Sequence, residues 1–133
     1  MAFLGKVYTF DRQENFDEYL KHMGVTDEKV IQQYAQMKAT AQLKKEGDKY
    51  RYITYSVNGN NEVVFESGVE VNDVGMNGIP IKSTYTVDGN TVTQVVNSSM
   101  GSGTVIREFS DDLLKMSVTT LGWDGVAVRY YKA

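Results

Sequence analysis

From residue 46 onward, turn-forming residues interrupt the chain at a nearly even interval. They fall at Gly47-Asp48, Asn58-Gly59, Gly68, Asn77-Gly78, Asp88-Gly89, Gly101 to Gly103, Asp111-Asp112 and Asp124-Gly125. Asn-Gly and Asp-Gly accept the positive φ values that tight hairpins demand, and a spacing of about 10 to 12 residues is that of a meander. Turns this short join only antiparallel neighbours, because parallel strands need a long crossover. The cadence predicts strands at 38–46, 49–57, 62–66, 69–73, 81–87, 91–97, 104–110, 113–120 and 126–132, preceded by one from Lys6 to Asp11. Composition agrees: Val, Thr and Tyr supply 17, 11 and 9 residues, types that suit a pleated surface, and Pro80 is the one proline in the chain.

The segment from Asn15 to about Met37 breaks the rhythm. Phe16, Tyr19, Leu20 and Met23 recur at helical spacing, Gly24 interrupts, and Thr26-Asp27 opens a second stripe of Val30, Ile31, Tyr34 and Met37. A short helix, a turn and a second short helix therefore separate the first strand from the rest. Ten strands in 133 residues must curl or close to bury one face. The expected architecture is all-β, a ten-stranded antiparallel up-and-down barrel filling residues 1–133 as one domain, with a helix-turn-helix lid at about 15–37.

The remaining composition excludes much. No cysteine is present, which removes disulfides, thiolate zinc sites and a cysteine nucleophile. A net charge of -3 lacks the basic excess of a nucleic-acid binder. No apolar run reaches the roughly 18 residues of a membrane span, and Met1 to Phe10 lacks the pattern of a signal peptide. His22 is the single histidine, so neither a paired-histidine metal site nor a Ser-His-Asp triad can be assembled around more than that imidazole. It reads as a surface residue, Trp123 as a local packing residue and Gly101-Ser102-Gly103 as a turn. No metal or cofactor is implied.

Alternation along the strands raises one question at each of two arginines. In 104–110, Val105, Arg107 and Phe109 share a face, so an inward Val105 and Phe109 would carry Arg107 inward with them. A buried guanidinium is costly unless an anion or water satisfies it. In 126–132, Ala127, Arg129 and Tyr131 share one face and Val126, Val128 and Tyr130 the other. Apolarity alone would bury the valines and leave Arg129 in water, and the pattern leaves its direction open.

Several segments in order resemble a known family. Lys6-Val7-Tyr8-Thr9-Phe10 is followed after four residues by Asn15-Phe16-Asp17-Glu18-Tyr19-Leu20. Then come Gly24-Val25, Glu46-Gly47-Asp48, Phe65-Glu66-Ser67-Gly68-Val69-Glu70, Asp88-Gly89, Arg107-Glu108 and Arg129-Tyr130-Tyr131. Together they resemble the intracellular lipid-binding proteins, the cytosolic fatty-acid- and retinoid-binding carriers, across essentially the whole chain. Gly122-Trp123-Asp124-Gly125-Val126-Ala127 is similar to insect fatty-acid-binding members in particular.

The resemblance implies a cytoplasmic, monomeric, non-catalytic carrier with one long-chain fatty acid inside the barrel. It implies that Arg107, Arg129 and Tyr131 hold the carboxylate, which settles Arg129 as inward. A planar guanidinium fits a carboxylate with two prongs, and a tyrosine hydroxyl adds a donor. Phe16, Tyr19, Leu20 and Met37 would form or flank the lid, and Met76 and Asn77 a loop beside the portal. Tyr52, Thr54, Met116 and Val118 would line the pocket wall. Retinoic acid or a bile acid is the alternative ligand, since the arginine pair serves any hydrophobic carboxylate. The turn at Asn58-Gly59-Asn60 departs from the family by lacking a portal aromatic. Transient contact of the lid with a membrane stays open, because Lys21, Lys29 and Lys38 alternate with Asp17, Glu18, Asp27 and Glu28.

Overall fold

A computed structural model describes residues 3–36, 39–56, 59–74, 80–99 and 101–133. Strand β1 (Val7–Glu14) leads into helices α1 (Phe16–His22) and α2 (Glu28–Gln36). Nine strands follow: β2 (Thr40–Glu46), β3 (Lys49–Ser56), β4 (Gly59–Phe65), β5 (Glu70–Val74), β6 (Pro80–Asp88), β7 (Thr91–Ser98), β8 (Gly101–Phe109), β9 (Leu113–Thr120) and β10 (Ala127–Lys132). Their order in the sheet is β4-β3-β2-β1-β10-β9-β8-β7-β6-β5, every described pairing antiparallel. The first strand thus pairs with the last, and the sheet wraps into a nearly closed barrel whose open edges are β4 and β5. None of the described helices is long and apolar enough to cross a membrane.

The helix pair forms where periodicity placed it. Asn15 enters α1 in the left-handed region at φ 59 and its amide donates to the Val126 carbonyl, 3.2 Å away on the chain leading into β10. Asp27 opens α2: its Oδ1 accepts from the Lys29 amide at 3.0 Å, and its carbonyl accepts from Ile31. The lid's inner face buries Phe16, Leu20 and Ile31 against Val118 and Ala127. A second, larger apolar cluster has Phe3, Tyr8, Leu43, Phe65, Phe109 and Leu114 among its members. Partly buried Met116 packs against both.

Two expectations about where strands begin need correction. Gly101 to Gly103 is not a turn but the start of β8, paired with Ser98, Asn97 and Val96. Gly103 serves close packing, because a Cβ there would lie 2.9 Å from the Thr119 carbonyl oxygen. Strand β4 likewise begins at Gly59, before the predicted residue 62, since its backbone ladder with β3 extends to Ser56 through exposed polar residues.

Candidate functional site

Strands β7, β8, β9, β10 and β1 carry one row of Cα-paired residues: Val92, Arg107, Met116, Arg129 and Gln13. Directly paired residues in antiparallel strands point to the same face. The buried members Val92 and both arginines identify that face as the inner one. Arg107 is 8% exposed and Arg129 5% exposed. The apolarity pattern of β10 is therefore inverted. Ala127, Arg129 and Tyr131 are buried, while Val126 is exposed and Val128 and Tyr130 half-buried on the outside.

The two guanidinium groups have different surroundings. Arg107 lies with Cζ 4.6 Å from the Tyr52 ring centre, and its Nη1 donates to Gln94 Oε1 at 2.9 Å. Gln94 Nε2 in turn donates to Ser83 Oγ at 3.0 Å, so β6, β7 and β8 share one buried polar chain. Arg107 Nε finds no hydrogen-bond acceptor among the described residues. Burial works against the charge on Arg107, but Tyr52, Tyr85 and Tyr131 more than offset it and hold its pKa above the ordinary value. Tyr85 donates to Asp73 Oδ2 at 2.7 Å. Burial raises its hydroxyl pKa, with Arg107 opposing and Asp73 adding to the rise.

Arg129 sits against aromatic faces nearer the lid. Its Cζ is 4.4 Å from the Phe10 ring centre, 5.2 Å from that of Phe16 and 5.7 Å from that of Tyr131. Cation–π contacts of this kind are worth more where water is excluded. Tyr131 is 3% exposed and meets Phe10 edge-on at 5.8 Å. Burial pushes the Tyr131 hydroxyl up to about 12, with Arg129 pulling the other way.

Of the other residues singled out from sequence, Tyr52 is brought to Arg107, and Thr54 follows on the same face of β3. Met116 stands between the two arginines, while Val118 packs under Phe16 and Leu20. Tyr19 faces the β9–β10 connection rather than the arginines. Its ring stacks obliquely on Phe16 at 5.5 Å and on Trp123 at 5.7 Å. Trp123 also stacks on exposed His22 at 6.1 Å, so it ties α1 to the barrel. Met37, Met76 and Asn77 lie outside the described residues. Sequence reading missed Ser83, Gln94, Tyr85, Phe10 and Gln13. Gln94 was discoverable by the logic used for Arg107, since it alternates with Val92 and Val96.

Residues 1–129 match the model of the lipocalin / cytosolic fatty-acid binding protein family. The chain belongs to this family. It is 62% identical over 133 residues to fatty acid-binding protein 1 of Manduca sexta, covering 100% of both chains. The solved fatty-acid-binding protein isolated from Manduca sexta superposes with a TM-score of 0.90 at 44% identity, covering 98% of this chain and 99% of that one. A Schistosoma mansoni fatty acid binding protein in complex with arachidonic acid superposes with a TM-score of 0.88 at 26% identity, covering 98% and 95%. The ten strands, the lid and their order are thus those of a fatty-acid-binding barrel.

Proposed function

We propose that this chain is a single-domain, non-catalytic cytoplasmic carrier that binds one long-chain fatty acid inside its barrel. The acid's carboxylate is held by Arg107, Arg129 and Tyr131. The observation that carries this reading is the burial of two guanidinium groups on one inner row beside a buried tyrosine. Arg107 donates to the neutral amide of Gln94, and the Tyr85 hydroxyl near it donates to Asp73. A carboxylate would meet the cation where its field is least screened. The arachidonic acid complex of the Schistosoma mansoni relative supports the same ligand class.

The acyl chain supplies the driving force. Burial is worth about 0.8 kcal/mol per methylene, so a common fatty acid gains about 10 kcal/mol gross. Ordering and loss of free motion remove part of this, leaving micromolar or tighter affinity. The test is extraction of lipid from the purified protein with mass spectrometry, followed by displacement of a fluorescent fatty-acid probe from delipidated protein. Palmitate and arachidonate are expected to displace the probe at one site per chain. Absence of both bound lipid and displacement sinks the carrier reading. Stronger displacement by retinoate or cholate would move the ligand class.

A further inference from the structure

Strand β1 changes phase part-way along. Phe10 pairs with Tyr131, but the next paired residue is Arg12, opposite Tyr130, so Asp11 is an extra residue in the strand. A bulge of this kind re-aims every side chain beyond it. Tyr8 is buried and Phe10 half-buried on the inner face, and unbroken alternation would send Arg12 in next. Instead Arg12 points out, its Cζ 3.9 Å above the outer Tyr130 ring and its Nη1 donating to Glu14. Gln13 turns in, directly opposite Arg129. The strand thus places a neutral amide, not a third guanidinium, at the end of the arginine row. Gln13 Oε1 is buried, and no donor reaches it among the described residues.

We infer that Gln13 determines head-group specificity, selecting acids that carry a hydroxyl one or two carbons from the carboxylate. Opposed side chains in an antiparallel pair start about 5 Å apart. A carboxylate on Arg129 and Tyr131 therefore brings C2 and C3 of its chain alongside the Gln13 amide. A plain acyl chain presents only C–H bonds there and leaves Oε1 without a donor, which is a cost. A 2- or 3-hydroxy acid offers an O–H to that oxygen while its carboxylate keeps the guanidinium. Gln13 Oε1 is itself buried, and the centre of the buried Phe16 ring lies 5.2 Å from the Cζ of Arg129 opposite, so the hydroxyl and amide would meet away from bulk water.

This inference rests on the carrier reading and is separable from it. The experiment measures displacement of a fluorescent fatty-acid probe by palmitate, 2-hydroxypalmitate and 3-hydroxypalmitate, on wild type and on Gln13→Leu. Wild type is expected to prefer one of the hydroxy acids over palmitate by about fivefold, the equilibrium factor of one net hydrogen bond. Gln13→Leu should abolish the preference and bind palmitate more tightly than wild type, because the variant leaves no acceptor without a donor and its side chain is of similar bulk. Equal binding of palmitate and both hydroxy acids by wild type overturns the inference even if the variant does not fold. So does a preference that survives in Gln13→Leu, or an equal loss of all three acids in a folded variant. Failure of every acid to displace the probe from wild type removes the carrier reading itself.

Discussion

Replacing Arg129 by glutamine removes one charge from the inner wall while keeping a polar group of comparable reach. The ring faces of Phe10 and Phe16 lie within 5.2 Å of its Cζ, and the side chain is 5% exposed, so the site is poorly screened. At a separation of about 4 Å and an effective dielectric near 20, a guanidinium and a carboxylate attract by about 4 kcal/mol. Part of that is spent on desolvating the carboxylate, and hydrogen bonds to charged groups measure about 1.5–3 kcal/mol net. A glutamine amide restores about 1 kcal/mol through one neutral bond, and Tyr131 stays in place. The expected net loss for a fatty acid is about 0.5–2 kcal/mol, or roughly 2- to 30-fold in Kd. Hexadecanol has no charge to lose and should change by less than about threefold. Probe displacement at neutral pH measures both ligands on both proteins, with a thermal melt to establish that the variant folds. Raising salt to 0.3 M should leave the ratio standing, since buried pairs are screened little. Equal losses for acid and alcohol would refute the reasoning and place the head group elsewhere.

Three further outcomes follow from the packing and the titration behaviour. Trp123→Ala should cost about 3 kcal/mol of stability and speed amide hydrogen exchange across α1, since Trp123 joins that helix to the barrel through Tyr19 and His22; unchanged exchange would mean that the stack does not hold the helix. Gly103→Ala should lower stability by about 1–3 kcal/mol in a denaturant melt, because its Cβ would lie 2.9 Å from the Thr119 carbonyl oxygen. An unaltered midpoint would refute that contact. For pH, Tyr131 titrates near 12 when folded and near 10 when unfolded, so between these values the unfolded chain has lost a proton that the folded one keeps. Stability therefore falls as pH rises from about 10 to 12, by about 3 kcal/mol for this group alone. Tyr131→Phe should flatten its share of that slope in alkaline denaturant melts, leaving the shares of Tyr8, Tyr19 and Tyr85, which are also raised.

The turn cadence made the ten strands and the helix pair readable because both follow from local chemistry. Where the reading failed, local pattern and environment part company. The first residues of β4 are outward or exposed and hydrogen-bond through their backbones, so no alternation marks them. Arg107 was half readable: Val105 and Phe109 on its face allowed an inward guanidinium, but an exposed arginine flanked by chance fitted the pattern as well, and the family resemblance turned it inward. Arg129 was not, because β10 places valines on the outer face and an alanine with two polar-tipped side chains within. Gln13 was hidden more deeply. A single inserted residue reverses the phase of β1, and nothing in Phe10-Asp11-Arg12-Gln13 announces it; only the pairing with β10 does.

That pairing also has a consequence in time. The seam between β1 and β10 joins segments made at opposite ends of synthesis, as the bond from Asn15 to Val126 across 111 residues illustrates. Non-local pairings of this kind carry the largest loop-closure cost and form slowly. Gln13 and Phe10 stand on one side of the seam, and Arg129 and Tyr131 on the other. On the proposed carrier reading, a chain with the seam unzipped has the wall of β2 to β9 but no assembled corner to hold a carboxylate. A fatty acid that needs the corner therefore favours the zipped form over the partly folded one. On that reading the cargo would double as a clasp, slowing opening of the barrel at the ladder that joins its first strand to its last.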